Sequence, residues 1–164
     1  MKKIFSFIIT LAIIIVLSSP HNLYASDIDA EPEIITNIIY FDNGDYLETT
    51  IISSFQSLSN TASTLSNTKN GTKTSTYRNS SGDALWSVSV TGTFTYTGQS
   101  CACTSVNGES TSYSSYWKVS GVTTSKSGNK ATAKATGKKY LLGIQMQSHD
   151  VSVTLTCSNS GVLS

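Results

Sequence analysis

The clearest pattern along the chain is the alternation in "ALWSVSVTGTFTY". Ala84, Trp86, Val88, Val90, Gly92, Phe94 and Tyr96 take turns with Ser and Thr at the odd positions after Leu85. A period of two puts one set of side chains in a core and the other in water, so this stretch predicts a long, half-buried strand. Gly92 marks a bend or the close approach of a neighbour. Near the end of the chain Val151, Val153, Leu155 and Cys157 alternate with Ser152, Thr154 and Thr156, which makes Cys157 an inward residue of a second long strand. Between the two, "KATAKATGKKY" sets Ala131, Ala133, Ala135 and Gly137 against Thr132, Lys134, Thr136 and Lys138. Its small side suits a closely packed facing sheet, and its lysine side suits a protected edge.

Turn signals punctuate these runs. Asn43-Gly44 separates "IIYFD" from "DYLETTII" and predicts a hairpin closed by a type I′ turn, which needs positive φ at both central residues. "RNSSGD", "TGQ", "NGES" and "KSGNK" read as further turns, and "LLGIQMQ" as another reversal. In "SSFQSLSNTASTLSNTKN" Phe55, Leu58, Ala62 and Leu65 follow helical spacing. Their Ser, Thr and Asn neighbours compete with a helix backbone, so the stretch reads as a linker. Ser and Thr make up 51 of the 164 residues, a composition built for pleated surfaces rather than helices. The expected fold is all-β: an antiparallel two-sheet sandwich of about seven or eight strands, immunoglobulin-like in architecture if not in connectivity.

The start of the chain follows a different pattern. Lys2 and Lys3 precede an apolar run over 4–17, and small residues lead to Ala25. Basic start, short apolar core and small-residue exit are the features of an export signal, and the run is short for a membrane span. Cleavage after Ala25 is expected, giving a secreted, extracellular protein with no membrane span left in it. The expected organisation is a signal over 1–25, a disordered acidic leader over 26–34, a hairpin over 35–53, a Ser/Thr-rich linker over 54–70 and a sandwich body over 71–164, the hairpin and body forming one domain. Without the signal the chain carries nine bases against ten acids, a net charge of −1. Seven acids and no base fall within 26–50. The nine bases are spread over the remainder, which is not the clustered footprint that nucleic acid requires.

Candidate chemistry is sparse. Cys101, Cys103 and Cys157 are the three cysteines. In an exported chain a disulfide is the default. Residues two apart on a strand are about 7 Å apart, and a disulfide needs Cβ atoms about 4 Å apart, so either Cys101 or Cys103 would pair with Cys157. With His149 the three have the composition of a zinc site, but the paired spacing and an oxidising exterior oppose that reading. His149 beside Asp150 reads as a surface histidine rather than the base of a catalytic thiol. Asp42 and Asp45 flank a turn, where Asp is favoured anyway. No catalytic residue, metal ligand or cofactor-binding residue is assigned. Tyr113, Tyr116 and Trp117 are the candidate binding aromatics, since rigid rings beside hydroxyls serve sugar and peptide recognition. Trp117 and Val119 share one strand face and leave Tyr116 on the other.

The strings "VTGTFTYTG", "CTS", "SKSGNKATAKATGKKYLLGI" and "VSVTLTCSNSG", with the hairpin "YFDNGDYLETTI", resemble a group of small exported β-rich proteins of Gram-positive, largely gut-dwelling bacteria. In that group a "GTFTY" strand precedes a cysteine and a "VTLTC" strand closes the chain. The resemblance implies a secreted sandwich-like protein and brings no established function. It also points to Cys103 as the partner of Cys157, leaving Cys101, which departs from the group's pattern, as a free thiol. The function expected from all of this is a non-catalytic secreted interaction module that binds a surface glycan, a protein or the envelope. The alternative is a secreted antagonist or bacteriocin-like effector acting on bacterial envelopes, which a basic body would favour.

Overall fold

The computed structural model describes residues 33–56 and 66–164, and all of its regular structure there is β. Nine strands are present among these residues, one or two more than expected: β1 (Glu33–Tyr40), β2 (Tyr46–Gln56), β3 (Asn67–Arg78), β4 (Ala84–Tyr96), β5 (Cys101–Ser112), β6 (Trp117–Val119), β7 (Thr123–Ser127), β8 (Lys130–Leu141) and β9 (Ile144–Thr156). The first five pair in chain order as an antiparallel meander. In the second sheet β8 is central. It pairs with β9 along one edge, and with β6 and β7 in succession along the other. The chain passes between the sheets once, from β5 to β6, whereas the immunoglobulin connectivity crosses repeatedly. The expected two-sheet sandwich is present, with the connectivity of consecutive hairpins.

The linker expected over 54–70 is shorter than its composition suggested. β2 runs to Gln56 and β3 starts at Asn67, so residues at both ends of that stretch are strand. The export signal, nearly all of the acidic leader and the middle of the linker lie outside the described residues. The hairpin at Asn43-Gly44 forms, but not with the expected turn. Phe41 N donates to Asp45 O (2.8 Å) and Gly44 N to Phe41 O (3.0 Å), and only Gly44, at φ 83°, has positive φ. This five-residue loop places one glycine in the left-handed region, so Asn43 need not adopt it. The same hydrogen-bond pattern recurs at Asn79–Asp83 and at Ser158–Val162.

The core follows from the alternation. Trp86, Val88, Val90 and Phe94 of β4 are fully buried, as are Ala131 and Ala133 of β8 and Leu155 and Cys157 at the end of β9. The small inner side of β8 is what lets β4 bring large side chains against it. A Cβ at Gly137 would fall 2.3 Å from Trp86 Cε2, so the indole packs on bare backbone. Burying four large side chains of one strand at roughly 1.5–3 kcal/mol each is a major share of what holds a domain of this size together.

Register defines two ends. Tyr46 pairs with Arg78, Tyr77 with Trp86, Trp86 with Ser112, and Trp117 with Lys139. The β1–β2 turn, the β3–β4 turn, the start of β6 and the β8–β9 hairpin therefore share one end, here the hairpin end. At the other, the cysteine end, Tyr96 pairs with Cys101, Ser127 with Lys130, and Cys157 bridges to Leu163.

Candidate functional site

At the cysteine end the three sulfurs come together by a local irregularity. β5 bulges opposite Thr93 and Phe94, so Phe94 pairs with Cys103, Thr93 with Ser105, and Thr104 is left over. An extra residue shifts the facing of a strand. Cys101 and Cys103 therefore point inward at odd positions, while Val106 and Gly108, opposite Gly92 and Val90, point inward at even ones. The displaced backbone is held from the second sheet. Cys103 N donates to Gly128 O (2.8 Å), Cys157 N to Asn129 O (3.0 Å) and Asn129 Nδ2 to Cys157 O (2.6 Å). Lys126 Nζ donates to Thr104 O.

All three cysteines are free thiols. The pairing implied by the resemblance, Cys103 with Cys157, is not formed. Of the other two thiols, that of Cys101 bears more strongly on the Cys157 thiol, whereas Cys103 Sγ turns to Ser105 O (3.2 Å) and Cys157 Sγ to Ser158 O (3.4 Å). Next to the bulge, the backbone of Cys103 is committed to the Gly128 carbonyl. Burial pushes the Cys157 thiol up to about 12, helped by the contact with Cys101 and opposed by the charge of Lys69. Burial raises Cys103 as well, against the pull of Lys126. Thiols held protonated are poor nucleophiles and poor metal ligands. His149 lies at the hairpin end, so the structure does not bring it to the cysteines. Among the described residues no three His, Cys, Asp or Glu side chains are grouped to hold a metal ion.

At the hairpin end an aromatic cluster fills the space between the sheets. Tyr77 stacks on Trp86 (6.0 Å between centroids) and on His149 (4.9 Å), and His149 in turn stacks on Trp117 (5.9 Å). The surface position expected for His149 is corrected here: its Nε2 is buried without a hydrogen-bond partner among the described residues. Trp117 is corrected likewise. It is buried in the core and is not a binding aromatic, because the inward face of β6 packs it against Tyr77 and Trp86 between the sheets. Asp45, weighed as a turn carboxylate, accepts from Tyr77 Oη (2.8 Å) and from Asn43 Nδ2 (2.9 Å). It ties the β1–β2 turn to the cluster. Burial and this carboxylate push the Tyr77 hydroxyl up to about 12.

The other two expected aromatics are exposed. Tyr116 and Tyr113 each show more than half of their surface, and Tyr113 Oη lies 3.1 Å from Ser87 Oγ. Tyr116 lines a groove of about 430 Å³ with Lys139, Tyr140, Leu141, Met146 and Gln147. Lys118 Nζ sits 5.3 Å from the centre of the Tyr140 ring. A second, hydroxyl-lined cleft of about 480 Å³ opens where β6 ends and β7 begins, around Ser120, Thr123, Lys134, Thr136 and Asp150. The sequence signal missed at the hairpin end was "YLLGIQM". It reads as a reversal, yet it puts apolar side chains where a turn ordinarily carries polar ones. Among the described residues no helix is long and apolar enough to cross a membrane.

Geometry thus defines a two-sheet antiparallel sandwich with buried thiols at one end and exposed aromatic and apolar side chains at the other. Comparison with known families, characterised proteins and solved structures finds no match for this chain.

Proposed function

We propose that this protein is an exported, non-catalytic binding module that meets its target with the hairpin end. One observation carries the reading: the groove lined by Tyr116, Tyr140, Leu141 and Met146 lies at the end of a rigid sandwich, with Tyr116 more than half exposed beside it. Exposed aromatic and apolar side chains held by a packed scaffold supply contact area at small entropic cost. Export is inferred from the leading basic and apolar residues. The test is retention of labelled protein on a glycan array, on bacterial cells and on host cells, comparing the natural chain with Tyr116→Ala and Tyr113→Ala. Loss of retention in the Tyr116 variant supports the reading. Equal retention of all three, or none by any, defeats it.

The second reading, an antagonist acting on bacterial envelopes, draws on the charge at the same end. Residues 137–149 hold Lys138 and Lys139 and no acid. Growth inhibition of related bacteria by purified protein separates it from the first.

A further inference from the structure

The β8–β9 hairpin outruns the sheet it belongs to. β6 pairs with β8 only at Gly137, Lys138 and Lys139, and a last bond joins Tyr140 N to Tyr116 O (2.7 Å). Beyond it the two strands pair only with each other, Tyr140 with Gln145 and Leu141 with Ile144. A register shift between Lys139 and Tyr140 leaves Met146 as the extra residue of a bulge, which bends the ribbon and adds an exposed side chain. Leu141, Ile144 and Met146 are each at least half exposed, and Leu142 is 95% exposed.

Leu142 is also the only non-glycine residue with positive φ among those described, at 50°, followed by Gly143 at 81°. Two consecutive positive values make a type I′ turn, whose first central position is ordinarily Asn, Asp or Gly. A leucine there adds backbone strain and exposes its whole side chain. Among the described residues it is almost wholly exposed, so what it contacts lies beyond them.

From this, and resting on the binding-module reading above, we infer that the Leu141–Ile144 tip inserts into the outer layer of an anionic lipid bilayer. Charge complementarity selects this occupant. Lys138 and Lys139 stand directly behind the tip, and Lys118, which pairs with Lys138, stands beside them. No acid occurs from 137 to 149. The turn acids at this end, Asp42, Asp45 and Asp83, sit in the β1–β2 and β3–β4 turns rather than on the β8–β9 ribbon, and two of them are held there by Tyr77 and Asn79. Lysine stems run along apolar surface while their ammonium groups reach lipid phosphates. Tyr116 and Tyr140 form a collar at the level where amphipathic rings prefer the membrane boundary. Shape selects it too. A stable protein partner needs roughly 800 Å² of each surface, which one convex two-stranded tip does not present, whereas a fluid bilayer closes around a wedge.

The test places a reporter at the tip. Full-length chain contains two tryptophans, Trp86 and Trp117, both buried, so Leu142→Trp adds the only exposed indole. The apolar segment at 4–17 can hold full-length chain on vesicles by itself, and the readout is therefore the environment of residue 142 rather than sedimentation. With phosphatidylglycerol vesicles the new emission shifts to the blue and is quenched by brominated lipid, more than with phosphatidylcholine and less at high salt. Emission that stays at its value in water while the vesicles carry the protein overturns the inference. A blue shift that appears without lipid and grows with protein concentration overturns it in favour of a second copy of the chain. If residue 142 stays wet while Tyr116→Ala abolishes retention on cells or glycans, the lipid target falls and the binding module stands. If neither responds, both fall.

Discussion

The indole of Trp86 occupies the space that a side chain at residue 137 would need, with Cε2 2.3 Å from the position of a Cβ there. Sheet separation at the hairpin end is therefore set by one glycine opposite one tryptophan. The aromatic cluster of Tyr77, His149 and Trp117 is assembled around that contact.

Gly137→Ala forces this pair apart. The methyl group meets backbone-supported indole atoms rather than a flexible chain end, so overpacking costs about 1–3 kcal/mol. Urea denaturation followed by tryptophan fluorescence measures it. Adding Trp86→Phe to Gly137→Ala recovers part of the loss, and strictly additive effects of the two changes would show that they do not share the contact.

The Trp86–Gly137 contact also separates what the sequence discloses from what it does not. Alternation placed Trp86, Val153 and Leu155 in the core and put Ala131 to Gly137 on a small-residue face. Parity separated Tyr116 from Trp117 and Val119. Periodicity could not disclose the Thr104 bulge, because a single extra residue reverses the facing of everything after it without altering the composition. The choice between Cys101 and Cys103 was beyond it for a simpler reason: two apart on one strand, they share a face. His149 was misplaced on the surface for another reason: its neighbours come from the ends of β3, β6 and the β1–β2 turn, which only the assembled sandwich brings together. The tip was overlooked because a turn signal says where the chain reverses, not what its side chains meet.

Mild oxidation is expected to join Cys101 to Cys157. Each thiol gives up one hydrogen to oxidised glutathione, which leaves as two reduced molecules while the protein gains one S–S bond. Closing that loop restrains the unfolded chain by about 4 kcal/mol on the chain-entropy argument. Peptide mapping under non-reducing conditions identifies the bridge. Cys101→Ser abolishes it and Cys103→Ser leaves it intact. A bridge containing Cys103 in the natural chain would show that Cys103, not Cys101, is the partner of Cys157, as the resemblance implies.

Alkaline pH should loosen the fold from both ends. Cys157 and Tyr77 are each held near 12, above their ordinary values of 9 and 10. Between those limits the unfolded chain has lost protons that the folded chain retains, so stability falls as pH rises. The contribution is fully present below about pH 9 and disappears as pH passes through 12. Urea midpoints measured from pH 8 to 11 should decline, and less steeply in Tyr77→Phe, which also forfeits the bond to Asp45 at about 1–3 kcal/mol. A midpoint that is flat or rising across that range contradicts the burial argument for both groups.

Leu142 offers a case in which stability and function are expected to oppose each other. Its left-handed backbone costs an L-residue roughly 1–2 kcal/mol, a cost that asparagine reduces through local hydrogen bonding. Leu142→Asn should therefore raise the urea midpoint while removing the most exposed apolar side chain described. A gain in stability would confirm that the leucine strains the turn, and its effect on binding is read separately. If Leu142→Asn is destabilising, the leucine makes contacts within the chain that account for its presence. If it is stabilising and the variant also loses retention on bacterial cells, the strain at the turn is a cost of displaying that side chain outward.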